Sequence, residues 1–215
     1  MDFTFINRRG ELYMEEKITY FETSGAEHTE ETLKLAAERA EARGIKTIVL
    51  ASTRGETARL AMEKYEGKDL KLVVVPHQYG FIAEQRFPPE LTAELEKKGH
   101  KVHFGTMLFH TDNFYGEKAP SVIANTFRVF CQGMKVCAEI ILMVADAGCV
   151  AIGEQVIAVT GTGRGADTAV VATASTSTKF SDFHITEIIC KPLQTRNMPP
   201  PPPGAGNPPP PPPPR

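Results

Sequence analysis

The chain has 215 residues, a formal net charge of −2, 41% hydrophobic residues, four cysteines and no tryptophan. Residues 1–195 have ordinary globular composition and enough length for one domain with a sizeable core. The near-balanced charge gives nucleic-acid binding no electrostatic support. The richest apolar run, 136–152, contains Glu139 and Asp146, so no membrane span is expected. The polar N-terminus does not read as a signal peptide.

Taken in order, residues 1–16 lack periodicity and read as a lead-in. Residues 17–21 alternate and predict a strand. Thr29, followed by Glu30 and Glu31, is a helix start with acids in the first turn. Leu33, Ala36, Ala37 and Ala40 give one helical face, and Gly44 is a natural stop. Residues 45–51 predict a buried strand, the 52–57 loop opens a helix over 57–65, and 70–75 predict a third strand ended by Pro76. A loop with His77, Gly80 and Phe81 leads to a helix from Pro88 and Pro89 to Gly99. Residues 102–108 predict a fourth strand, and the aromatic 110–116 loop precedes a helical region over 120–148 that Gly133 divides. Strands follow over 155–160, 168–174 and 184–190. Alternating strands and helices imply a three-layer α/β/α fold with a mostly parallel sheet. The last two strands lack an intervening helix, so an antiparallel edge is expected. From Met198, five prolines, a short Gly/Ala/Asn break, seven prolines and Arg215 cannot build a core. Residues 194–215 read as an extended tail, with a ligand for a proline-binding module as the alternative.

Cys131, Cys137, Cys149 and Cys190 form no CxxC pair and no zinc spacing. They read as reduced thiols of a cytoplasmic protein with no metal site.

Three loops fall where an open α/β sheet binds ligands, beyond the C-terminal ends of strands. The first holds Ser52, Thr53, Arg54, Gly55, Glu56 and Thr57: hydroxyls, one guanidinium, and the N–H groups of a helix start, which make it either an anion loop or a plain strand-to-helix turn with a Thr or Glu cap. The second holds Gly161, Thr162, Gly163, Arg164, Gly165, Asp167 and Thr168. Its G-x-G-x-G spacing is neither the dinucleotide fingerprint nor a Walker loop; glycine-exposed N–H groups beside an arginine suit an anion, most often a phosphate, with a flexible hairpin turn as the alternative. The third, with Gly25, His28 and Thr29, is either a ligand loop or plain helix capping. His77 and His110, beside Phe81, Phe114 and Tyr115, either line a pocket for a flat ring or lie on the surface. Lys135, Glu139 and Asp146 are either buried and functional or mark a wet helix face.

Residues 47–58 resemble the strand, loop and helix of the pyruvate kinase C-terminal domain that hold an effector's phosphate. Residues 153–161 and the glycine loop resemble its penultimate strand and effector loop. Residues 17–193 as a whole resemble the free-standing pyruvate kinase α/β-domain-like proteins of archaea and bacteria. That likeness is carried by Phe21, Glu22, Gly25 and Thr29, by Gln132, Gly133, Lys135 and Val136, by residues 146–148, by the 161–168 loop and by residues 187–192. His28 stands where the family pattern has Asn. The resemblance implies the three-layer fold and a phosphorylated ligand, FMN foremost, at the three loops together with His77, Gly80 and Phe81. It implies no pyruvate kinase activity, because the catalytic barrel has no counterpart here. The expectation is therefore a binding domain for a phosphorylated small molecule. The alternatives are a flavin-dependent oxidoreductase or a phosphate-ester hydrolase using His77 or His110, and a regulatory module that signals ligand through contacts between copies.

Overall fold

The computed structural model describes residues 4–6, 12–115 and 118–194; most of the Pro-rich tail lies outside them. Two short strands, β1 (Thr4–Ile6) and β2 (Leu12–Met14), pair antiparallel ahead of the main sheet. The lead-in therefore carries a hairpin, whose three-residue strands are too short for an alternating pattern to register.

The main sheet has seven strands: β3 (Thr19–Phe21), β4 (Thr47–Ala51), β5 (Lys71–Val75), β6 (Lys101–Val102), β7 (Gln155–Thr160), β8 (Thr168–Thr173) and β9 (His184–Pro192). Their spatial order is β3-β9-β8-β7-β4-β5-β6. Six strands share one direction, and β8 runs against both neighbours, β7 and β9. The antiparallel strand β8 thus lies on the β3 side of the sheet, third from that edge, while β3 itself pairs parallel to β9.

The β-branched runs follow from burial on both faces. Ile48, Leu50, Leu72, Val74, Ile157 and Val159 face one apolar layer, built with α1 (Thr29–Arg43), α2 (Glu56–Lys64) and α3 (Pro89–Lys97). Their neighbours Val49, Val73, Val75, Val156 and Ala158 face the other, covered by α6 (Gln132–Asp146). A short helix α4 (Asp112–Tyr115) and α5 (Ala119–Arg128) precede α6 on that side.

Two expectations are corrected. The fourth strand is only two residues long: the His103 N–H still donates to the Val74 carbonyl, 2.9 Å, but then the chain leaves the edge. Met107 and Phe109 are buried against the helices instead of extending the sheet. The long helical region breaks at Cys131, not at Gly133. Cys131 has extended backbone, and its Sγ accepts from the Met134 N–H, 3.3 Å, as the cap of α6. Gly133 lies inside α6 for a packing reason, since a Cβ there would stand 2.5 Å from the Cβ of Thr168. The glycine lets α6 press against β8.

From β4 the chain winds through α2 and α3 to β5 and β6, then returns by α6 to β7 on the other side of β4. The winding direction reverses between β4 and β7. Loops leaving those strands part there, and a crevice opens at the carboxyl end of the sheet.

Candidate functional site

The crevice is a cavity of about 380 Å³, within the range of small-molecule sites. Its polar end is built by the two loops that leave β4 and β7. In the first, the Ser52 N–H donates to the Val75 carbonyl, 3.2 Å, and Ser52 Oγ accepts from the Ala58 N–H, 3.2 Å, tying the loop to both β5 and α2. Gly55 turns the chain into α2 at φ 86°, a conformation that side chains disfavour. The opening N–H groups of α2 have no intrahelical acceptor and carry the positive end of its dipole. Ser52, Thr53, Arg54, Glu56 and Thr57 all line the cavity.

The glycine loop faces them with Gly161, Gly163, Arg164 and Gly165. Its shape is set from behind. Asp167 is fully buried; its Oδ2 accepts from the N–H groups of Thr162, 3.1 Å, and Gly25, 3.2 Å, and its Oδ1 from the Thr168 hydroxyl, 2.8 Å. The Ala166 N–H donates to Thr29 Oγ1, 2.9 Å, whose hydroxyl donates to the Ala26 carbonyl, 2.6 Å. Ala26 lies so close that a Cβ on Gly165 would meet its Cα at 2.5 Å. Gly25, Thr29, Asp167 and Thr168 therefore support the loop and lie outside the cavity lining. His28 stacks on Phe21, ring centroids 4.3 Å apart, and is also outside it. Thr162, Gly55 and the exposed Gly80 do not line the cavity either.

Across the mouth, Arg164 Nη2 reaches Glu56 Oε1 at 3.1 Å, with side chains 69% and 62% exposed. The pair joins the two loops through solvent.

The side wall is aromatic. The Phe81 ring meets His77 and His110 edge-on, at 4.8 and 5.2 Å. His77 Nε2 lies 3.4 Å from Thr53 Oγ1, and its buried Nδ1 has no partner among the described residues. Burial, and then the charge of His110, hold His77 below the ordinary imidazole range.

The inner wall is α6, whose contribution was only half visible in the sequence. Gln132, Lys135, Val136, Glu139, Ile140 and Met143 line the cavity. Their spacing is that of one helical stripe, which is the signal that could have found them. Lys135 and Glu139 are 1% and 2% exposed and ion-paired. Glu139 Oε1 also accepts from the Phe109 N–H, 2.8 Å, and lies 3.2 Å from His110 Nδ1. The Lys135 ammonium sits 5.6 Å over the Phe109 ring. Burial alone would push the Glu139 carboxyl up; the hydrogen bond from His110, the charge and hydrogen bond of Lys135, and the Phe109 N–H together hold it below its ordinary value. Asp146, by contrast, is exposed and accepts from the Ser177 N–H, 2.8 Å. Arg86 and Met107 are further lining residues with no motif to announce them.

Among the described residues, no group of three or more His, Cys, Asp or Glu side chains could hold a metal ion, and no helix is long and apolar enough to cross a membrane. A structure of Cryptosporidium parvum pyruvate kinase in complex with ADP is similar over 66% of this chain and 22% of that chain, at 18% identity and a TM-score of 0.36. The chain thus spans under a quarter of that protein's length. The family described as pyruvate kinase, alpha/beta domain, matches residues 30–172, well over half of the chain. That stretch runs from the first turn of α1 into β8 and carries both cavity loops and the α6 wall; the chain belongs to the pyruvate kinase alpha/beta domain family.

Proposed function

We propose that the domain binds a phosphorylated small molecule, with FMN the leading candidate, and that the 52–57 and 161–165 loops hold its phosphate. The observation that carries this reading is the convergence of the two loops on one end of one cavity. Separately, each is a turn with polar residues. Together they offer glycine-exposed N–H groups, a helix start, the hydroxyls of Ser52, Thr53 and Thr57, and two guanidiniums, which is the chemistry of an anion site.

The remaining walls suit a flat ring. Phe81, His77 and His110 supply edges and faces, and Val136, Ile140, Met143 and Met107 supply apolar surface. The donor set therefore fits FMN, whose isoalloxazine would supply redox chemistry when bound. This chain's own part is to bind the phosphate, orient the ring and keep water from its apolar side. Burial of Cys131, Cys137 and Cys190 supports a reducing, cytoplasmic setting.

The test is direct. The purified protein is expected to carry the visible absorbance of oxidised flavin, or to gain melting temperature with added FMN; a ligand at 100 times its Kd stabilises by about 2.7 kcal/mol. No flavin bands and no thermal gain with FMN would overturn the flavin assignment. Unchanged affinity for every phosphorylated ligand in both R164A and T57A would overturn the phosphate grip.

A further inference from the structure

We propose that His110 is a ligand-facing proton acceptor of this cavity, held in one tautomer by Glu139, and that the ligand presents an N–H or O–H group to it at the end away from its phosphate. The inference rests on the binding reading above and names the second recognition point of the same site.

Glu139 is nearly inaccessible, yet three donors converge on it: the Lys135 ammonium, the Phe109 N–H and the His110 ring. An ionised carboxylate is acceptor-only. The 3.2 Å contact between Glu139 Oε1 and His110 Nδ1 therefore requires the proton on Nδ1. Lys135 Nζ also lies 3.4 Å from Nδ1 and could donate only to a bare nitrogen there. That contact is longer, and Lys135 already has Glu139 Oε2 and the Phe109 ring as partners. The carboxylate therefore decides the tautomer. His110 Nε2 is left as the nitrogen with the lone pair, and it has no hydrogen-bond partner among the described residues.

The ring is placed to use that nitrogen. Its backbone comes from the short 3-10 turn Leu108–His110, which is anchored because Phe109 is buried against α5 and α6. Phe81 packs edge-on against the ring, and His110 lines the cavity beside the α6 wall. His110 is an exposed residue at the edge of the cavity, its side chain 31% accessible, and a carboxylate that fixes one imidazole nitrogen while the other stays open to solvent or ligand is the arrangement that makes histidine a directed base. Glu139 acts through His110 and is a positioning residue. The hydrogen bond from His110, and then the charge of Lys135, offset the burial that would push the Glu139 carboxyl up.

The experiment is nitrogen NMR of the histidine side chains, with His110 assigned by comparison with H110Q. In the ligand-free protein, Nδ1 is expected to carry the proton and Nε2 to give the signal of a bare nitrogen. Saturating FMN is expected to move the Nε2 signal, and inorganic phosphate, which fills only the loop end, is not. H110A is expected to lower FMN affinity about tenfold, the scale of one hydrogen bond, and to leave inorganic phosphate affinity unchanged. E139Q is expected to mix the two tautomers; where it fails to fold because the Lys135 charge is stranded, the E139Q/K135M double variant removes both charges. A protonated Nε2, or an equal loss of FMN and phosphate affinity in H110A, overturns the proposal. If neither FMN nor phosphate raises the wild-type melting temperature, the two-loop reading fails instead, and the tautomer alone then decides for or against an oriented His110.

Discussion

Arg164 and Glu56 hold the glycine loop and the start of α2 together by one ion pair, Nη2 to Oε1 3.1 Å, across the cavity mouth. Both side chains are largely in solvent, where such a pair is worth about 0–1 kcal/mol. A phosphate between the loops would compete with Glu56 for the same guanidinium and would be repelled by the same carboxylate. E56Q is therefore expected to tighten a phosphorylated ligand about two- to fivefold, and R164A to weaken it about tenfold or more. Calorimetric titration at low and at high salt reads both effects, and both should shrink at high salt.

Asp167 shapes the glycine loop without touching the cavity. Its two oxygens accept three hydrogen bonds in a fully buried setting. D167A leaves two N–H groups and a hydroxyl unpartnered and is expected to cost about 2–4 kcal/mol. D167N retains an oxygen for Gly25 and Thr162, and its new NH2 can donate to Thr168 if that hydroxyl rotates. It is expected to cost less than half as much. Urea unfolding of the two variants checks the ranking, and equal losses would contradict this account of the loop.

Gly133 and Thr168 define how closely α6 meets β8. G133A forces a methyl group into the Thr168 side chain and is expected to destabilise by about 1–3 kcal/mol. T168A should return part of that loss in the double variant. A thermal double-mutant cycle gives the coupling, and its sign is the informative result.

Acid should weaken the fold through three imidazoles. Burial holds His77, His100 and His103 below the ordinary value; charge from His110 adds to it at His77, and charges from Lys98 and Lys71 add to it at His100. A base held low in the folded state takes up its proton more readily when unfolded. Stability therefore falls as pH drops through the unfolded value near 6.5 and levels off beneath the folded values. His100 adds a structural reason, since its Nδ1 accepts from the Leu72 N–H, 3.2 Å, and a protonated ring cannot accept. The melting temperature should fall from pH 7.5 to 5.5, and H100Q should flatten part of the slope.

The parallel core strands β4, β5 and β7 were legible because β-branched runs bounded by glycine, proline and hydroxyl residues have few other uses. Both cavity loops were legible for the same local reason. The distant partnerships were not. Gly25, Thr29 and Asp167 are local capping and turn residues in sequence, and only the fold brings Gly25 to Asp167, 142 positions apart. Lys135 and Glu139 were ambiguous because their burial depends on the 3-10 turn and on α5, which close over them from outside α6. Arg39, buried against Glu187 and reaching Glu16 at 3.0 Å, carried no signal at all, because an arginine on a helix facing an acidic residue nearly 150 positions away leaves no local pattern. The fourth strand was expected, but its early end after Val102 was not legible, because the residues that follow read alike whether they extend a sheet edge or pack under helices.

The reversed direction of β8 has a thermodynamic side. β7 and β8 are registered residue for residue up to Thr160 and Thr168, so the glycine loop is a closed hairpin end, and the Asp167 carboxylate is clamped across it. Its conformational entropy is surrendered when the sheet forms. For the ligand proposed above, the ordering of this loop would then subtract little from the binding free energy.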